Sequence, residues 1–312
     1  MRPVFADPKT DFVFKRLFGT EEHKDLTIAL LNALLGLEGE RRIVDLTFLR
    51  EEERPRVAEM KLSIVDVKCC DAGGTRYVVE MQVLNVEGFE KRVVYNASKA
   101  YVNQLGAGSE YPTLDDVVAV SICDFVLWPE RDGEPSVPLV SRWRMREEQG
   151  GRAGLSQVRY VFVELPKLAA DRPPATVAEE WAYVFNRAEM LTSVPSLLHA
   201  PETRRAMEAA RTASFDEADW EAYDRTRIAE QDARGALTLA RREGRAEGRE
   251  EGVRAGLRQA IVAVLQARGS AVSEALEAAL AAGDEGRLGR MLTRGGGGGW
   301  GKGAAGGVSV RR

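Results

Sequence analysis

The chain has 312 residues, of which 44% are hydrophobic and 29% charged, with a formal net charge of −4. Those fractions suit a soluble protein with one good core and room for a smaller second one, and the acidic balance argues against a tight, non-specific nucleic-acid binder, which usually shows a basic excess. Three cysteines (Cys69, Cys70, Cys123) and two histidines (His23, His199) give no metal spacing and no even disulfide set, which argues against histidine-based zinc or triad chemistry.

In chain order, apolar residues at 12, 13, 14, 17 and 18 predict a first helix over 11–17, with Gly19 at its C′ position. Asp11 begins it, where the helix dipole favours an acid; that role is preferred over a second one, as an extra acid near a site. Leu26, Ala29, Leu30, Ala33 and Leu34 form a core stripe on a second helix within 21–37. Residues 43–49 read as a strand and 50–56 as a charged loop.

Two apolar-polar runs follow, 62–70 and 76–84, on either side of Asp71-Ala72-Gly73-Gly74, which is the pattern of a β-hairpin. Period-two alternation puts Asp66 and Lys68 on one face of the first strand, and Glu80 and Gln82 on one face of the second. A loop centred on Gly73 pairs residues whose numbers sum to 146, so Asp66 faces Glu80. Opposed carboxylates about 5 Å apart destabilise a sheet. A divalent cation offsets this, since Mg²⁺ is typically held by one or two carboxylates with water and substrate phosphate around it. Lys68 and Gln82 would then flank the ion. The hairpin alone is described more simply as half-buried, with its acids solvated.

A helix is expected over 89–105, with Phe89, Val93, Ala97 and Ala100 on its apolar side. Arg92, Asn96, Lys99 and Asn103 form one polar stripe along it. Such a stripe follows a nucleic-acid backbone or is simply solvated. Residues 116–127 read as a strand buried on both faces, 130–138 as a loop, and 143–146 and 157–164 as two more strands, making this part α/β. No glycine-rich phosphate loop follows a strand, which sets aside a Rossmann-type sugar-phosphate enzyme. Beyond Pro173-Pro174 the pattern is helical, over 178–191, 202–212 and 217–266. Gly244, Gly248, Gly252 and Gly256 recur every fourth residue, each costing a helix about 1 kcal/mol relative to alanine. Sharing nearly one face, they permit close approach of a second helix. The segment therefore reads as a soluble pairing arm and a homodimer contact, with a solvated extension as the alternative. Residues 294–307 are low-complexity glycine, expected to be disordered.

Asp66 with Glu80-Met81-Gln82 resembles the D…E-x-Q active site of the PD-(D/E)XK nuclease superfamily. More narrowly, the chain is similar to its recombination-promoting nuclease (Rpn), transposase-like branch. Three further segments carry the resemblance. Asp7-Pro8-Lys9-Thr10-Asp11-Phe12-Val13-Phe14-Lys15 with Leu17-Phe18-Gly19 is similar to the N-terminal signature. Arg92, Tyr95, Lys99, Tyr101 and Gln104 follow the pattern of the helix after the hairpin, and Val161-Phe162-Val163-Glu164-Leu165-Pro166-Lys167 that of the late strand. The glycine repeat near the C-terminus is also typical, and the match runs from about Pro3 to the mid-190s.

The resemblance implies an α/β restriction-endonuclease-like core, a mixed sheet flanked by helices, over 1–172. An all-helical region would follow over 173–293, then a glycine-rich tail over 294–312. It implies an Mg²⁺-dependent (or Mn²⁺-dependent) DNA endonuclease hydrolysing phosphodiester bonds, linked to recombination, mobile-element or defence roles. Asp66 and Glu80 would be the metal ligands, with the Met81 carbonyl a further candidate. Gln82 and Lys68 would complete the catalytic set, and Arg92, Lys99, Tyr95 and Gln104 would contact DNA. The superfamily's last motif residue is lysine; Gln82 carries no charge and cannot act as a base, so Lys68 is the candidate substitute. Leu62 stands where family members often have an acid. The competing reading is a catalytically weak or inactive nuclease-fold module, binding DNA or protein through its helical arm, because function lives in the site and not in the fold. No N-terminal apolar h-region and no bilayer-spanning run is present, so no membrane association is expected and the cytoplasm is the expected location.

Overall fold

The computed structural model describes residues 2–49, 52–53, 63–106, 108, 110–268 and 272–296. The chain divides into two compact units, Met1–Gln231 and Asp232–Arg312. In the first, helices α1 (Asp11–Phe18) and α2 (Lys24–Leu35) lead into strands β1 (Leu46–Phe48), β2 (Glu52–Glu53), β3 (Ser63–Ile64), β4 (Val67–Asp71) and β5 (Arg76–Gln82). Helix α3 (Phe89–Val102) is followed by β6 (Val117–Cys123), β7 (Val140–Trp143) and β8 (Val158–Glu164), then by helices α4 (Val177–Arg187), α5 (Pro201–Ala209) and the start of α6 (Glu217–Ala267).

Six of these strands form one mixed sheet in the order β1-β4-β5-β6-β8-β7. The central β5, β6 and β8 run parallel, and the flanking pairs are antiparallel. Every residue of β6 is buried, as a central parallel strand covered on both faces requires. On one face Val67, Cys69, Val79, Val118, Val120 and Val161 pack under α1, α2 and α4. There Phe14 and Phe18 meet Phe185, and Phe18 also meets Trp181, with ring centroids 5.6–6.1 Å apart. On the other face Val78, Val117, Ala119 and Phe162 pack under Phe89, Val93, Ala97 and Ala100 of α3. This is the mixed α/β core with flanking helices that the sequence predicts.

Residues of α4, α5 and the first turns of α6 belong to the same apolar cluster as the sheet: Trp181, Ala206 and Tyr223 are all fully buried in it. The N-terminal segment joins them, with Ala6 N–H donating to Ala210 O (2.8 Å) and Asp7 N–H to the Tyr223 hydroxyl (3.0 Å).

Three local expectations change. The 50–56 segment includes β2, paired antiparallel with β3. The strand expected at 143–146 lies at Val140–Trp143, because these residues meet Val163 to Tyr160 of β8. The strand expected over 116–127 stops at Cys123, because Leu127 and Trp128 turn their N–H groups onto the Glu164 carboxylate (2.6 and 3.0 Å).

The second unit contains the rest of α6, α7 (Glu274–Ala281) and α8 (Glu285–Gly296), with Ile261, Leu265, Leu276, Leu280, Leu288 and Met291 as its core. A Cβ built at Gly244, Gly248, Gly252 or Gly256 would meet no atom within 4 Å. Most of the glycine-rich tail, from 297 onward, lies outside the described residues. No helix of the described residues is long and apolar enough to cross a membrane.

Candidate active site

Ligands of open α/β sheets bind outside the carboxyl ends of the parallel strands. Here the register aligns Gln82 of β5 with Cys123 of β6, and Cys123 with Glu164 of β8. Glu80 and Gln82 share the face of Val78, beneath α3.

The β4–β5 register is the expected one: Val67 faces Val79, Lys68 faces Val78, Cys69 faces Tyr77, and Cys70 faces Arg76. Asp71 N–H donates to Thr75 O (3.0 Å). Hydrogen-bonded pairs recur every second residue of an antiparallel ladder, so Val65 with Met81 would come next after Val67 with Val79. The ladder breaks there. Met81 N–H donates instead to Oδ2 of Asp66 at 2.6 Å, and Asp66 sits in a bend. The continuous strand expected over 62–70 is therefore interrupted, because a side-chain oxygen replaces the main-chain acceptor.

At the break Asp66 is exposed to the charges of two other acids. Burial pushes the Asp66 carboxyl up to about 7; the Met81 N–H opposes this, while the charges of Asp11 and Glu80 add to it and Lys15 counters them. Asp11 thus starts α1, pairs with Lys15 at 3.0 Å and also acts electrostatically on Asp66. Burial likewise raises the Glu80 carboxyl, against the neighbouring Arg92. The Arg92 guanidinium lies 3.0 Å from Glu80 Oε1 and donates to Gln82 Oε1 at 2.5 Å. The Gln82 amide nitrogen donates to Leu84 O (2.6 Å).

Arg92 therefore joins Asp66, Glu80 and Gln82 as the cation that pairs with Glu80. Lys68 is buried, and its ammonium is lowered to about 8 by burial first, then by Arg76 and Lys99. The polar stripe of α3 is not a solvated face. Asn96 and Lys99 are buried, with the Lys99 ammonium 5.9 Å from the centre of the Tyr95 ring. Gln104 is held on both ends of its amide by the main chain of Asp115 (2.9 and 2.8 Å). Leu62 lies outside the described residues.

Two family-like segments brace the site. Lys9 pairs with Asp124, just past β6, at 3.5 Å. Glu164, wholly buried, accepts from Leu127 and Trp128 N–H and from Lys167 (2.8 Å), while Lys167 also donates to Trp128 O and Val137 O. The signal for this bracket was the Glu164–Lys167 spacing. Nothing in the sequence marked Arg92 as the partner of Glu80, because that depends on how α3 crosses the sheet.

No group of three or more His, Cys, Asp or Glu side chains disposed to hold a metal ion occurs among the described residues. The donor chemistry nonetheless fits a hard divalent cation. Two half-buried carboxylates act on one another at a strand end, the charge of one raising the proton affinity of the other, and Mg²⁺ requires only one or two carboxylates.

Comparison with curated proteins and with solved structures gives no match. The profile of the PD-(D/E)XK nuclease family transposases matches residues 8–240, from the N-terminal signature into α6. With the mixed sheet and the D…E-x-Q residues gathered at its strand ends, the chain belongs to the PD-(D/E)XK nuclease family transposases.

Proposed function

We propose that the protein is a metal-dependent DNA endonuclease that hydrolyses phosphodiester bonds, with Asp66 and Glu80 holding one Mg²⁺ or Mn²⁺. The observation that carries this reading is the ladder break at Asp66. Its carboxylate takes the Met81 N–H beside Glu80, a costly burial of charge that a cation relieves. A divalent cation held there supplies positive charge to the scissile phosphate and acidifies a coordinated water.

The chain's own residues have separate tasks. Met81 N–H fixes the orientation of the Asp66 carboxylate, and Arg92 fixes Glu80 and the Gln82 amide. Gln82 orients water without acting as a base. Lys68 and Lys99, both buried, contribute positive charge beneath the face that meets the DNA backbone, with the Tyr95 ring beside Lys99. Gln104 supports that face by holding the Asp115 main chain. A cytoplasmic role in recombination, mobile-element movement or defence belongs to the same proposal, as does pairing of two copies through the glycine stripe of α6.

The direct test is Mn²⁺ binding by titration calorimetry. Wild type should bind one ion, and Asp66→Ala and Glu80→Ala, folded by circular dichroism, should lose it. Equal binding by all three would overturn the assignment. One observation favours a second reading: the Arg92–Glu80 ion pair satisfies a carboxylate without metal. A chain that keeps this pair closed would act as a DNA-binding or protein-interaction module instead.

A further inference from the structure

A cavity of about 750 Å³ lies at the other end of the sheet, where the parallel strands begin. Tyr77, Val118 and Arg159, each the second residue of its strand, line it from β5, β6 and β8. Three steps of β5, at about 3.3 Å each, separate Tyr77 from Glu80, so the cavity lies about 10 Å along the strand from the Asp66–Glu80 site and on the opposite face of the sheet.

The cavity gathers five arginines, Arg41, Arg142, Arg144, Arg146 and Arg159, with Asp71 the one lining carboxylate. Asp71 supplies one negative charge and is held within the turn. Its Oδ1 accepts the N–H groups of Gly73 and Thr75, and its Oδ2 the hydroxyl of Tyr77. Arg159 pairs with Asp116 at 3.3 Å, yet its Nε is buried without a partner. Arg142 donates to Leu34 O at the end of α2, and Arg146 to Gly151 O. Arg41 and Arg144 are exposed, and their side chains make no ion pair or hydrogen bond among the described residues. Five guanidiniums against the two carboxylates Asp71 and Asp116 leave the cavity with an excess of positive charge, in a chain whose net charge is −4. Such a concentration of like charge in a concave site draws anions.

We propose that this cavity binds consecutive phosphates of a nucleic-acid strand, separately from the Asp66–Glu80 site. Guanidinium forks match phosphate oxygens in pairs, and one phosphate would leave most of the five unused. The proposal rests on nucleic acid being the protein's ligand, but not on catalysis.

The test is anisotropy of a labelled single strand of about 20 nucleotides with the full chain in EDTA. Arg41→Glu with Arg144→Glu is compared with a surface control of equal charge change, Arg205→Glu with Arg225→Glu. The cavity variant should bind at least about tenfold more weakly at low salt, with the log–log salt slope reduced by about 1.4, or about 0.7 per lost contact. Unchanged affinity and slope, or an equal loss in the control, would overturn the proposal. So would displacement of the strand by millimolar ATP alone, which would make the ligand a small nucleotide. A wild-type chain that cuts no DNA yet shows these binding changes would lose the endonuclease reading and keep this one.

Discussion

Replacing Asp66 by asparagine should stabilise the metal-free protein at neutral and alkaline pH. In the folded chain the carboxyl is raised from its ordinary 3.8 to about 7 by burial and by the Asp11 and Glu80 charges. Between those values the folded state binds more protons than the unfolded one, so stability falls as pH rises through the window and levels off above about 7. The full displacement corresponds to about 4 kcal/mol; solvent at the site reduces this to about 1–3 kcal/mol. Asparagine still accepts the Met81 N–H and carries no charge. In chemical denaturation with EDTA, the midpoint of Asp66→Asn should exceed that of wild type at pH 8, with a smaller difference at pH 5. Saturating Mg²⁺ should reverse the order, since only the carboxylate gains from the ion. An asparagine variant less stable at pH 8, with no dependence on pH, would refute the reasoning.

Other perturbations report on other parts of the account. Arg92→Ala removes the guanidinium that orients Glu80 and Gln82, so divalent-metal affinity at pH 7 should fall about 10–100-fold. Arg92→Lys should not restore it at pH 7, because one guanidinium serves both Glu80 and Gln82; full recovery by lysine in calorimetry would contradict this. Glu164→Ala leaves Lys167 without its buried partner and should cost about 3–5 kcal/mol in urea denaturation; a loss below about 1 kcal/mol would remove the bracket from the account. Gly74→Ala puts a Cβ 2.5 Å from Asp115 Oδ1 at a φ of +89° and should destabilise by more than about 1 kcal/mol, read as a lowered thermal midpoint.

The hairpin register was legible because its causes are local. Asp71 binds the N–H groups of Gly73 and Thr75, which fixes the turn, and period two then sets which residues oppose. The buried β6 was legible from its unbroken apolar run. The break at Asp66 was not, because alternation cannot show a side chain taking over a ladder hydrogen bond. The burial of the polar stripe of α3, read as a backbone-following or solvated face, was not legible for a similar reason. Helical spacing groups Arg92, Asn96 and Lys99 on one side, but only the crossing of α3 over β5 shows that this side meets polar strand residues. Asp11 suited a helix start on its own terms, and its effect on Asp66 comes from how α1 packs beside the sheet.

The central claim is tested most directly by incubating supercoiled plasmid with wild type, Asp66→Ala and Glu80→Ala in Mg²⁺, Mn²⁺ or EDTA. Nicking by wild type with metal, abolished by EDTA and by either substitution, is the predicted result. Failure of folded wild-type protein to cut with either metal, or cutting that survives both substitutions, would contradict the account.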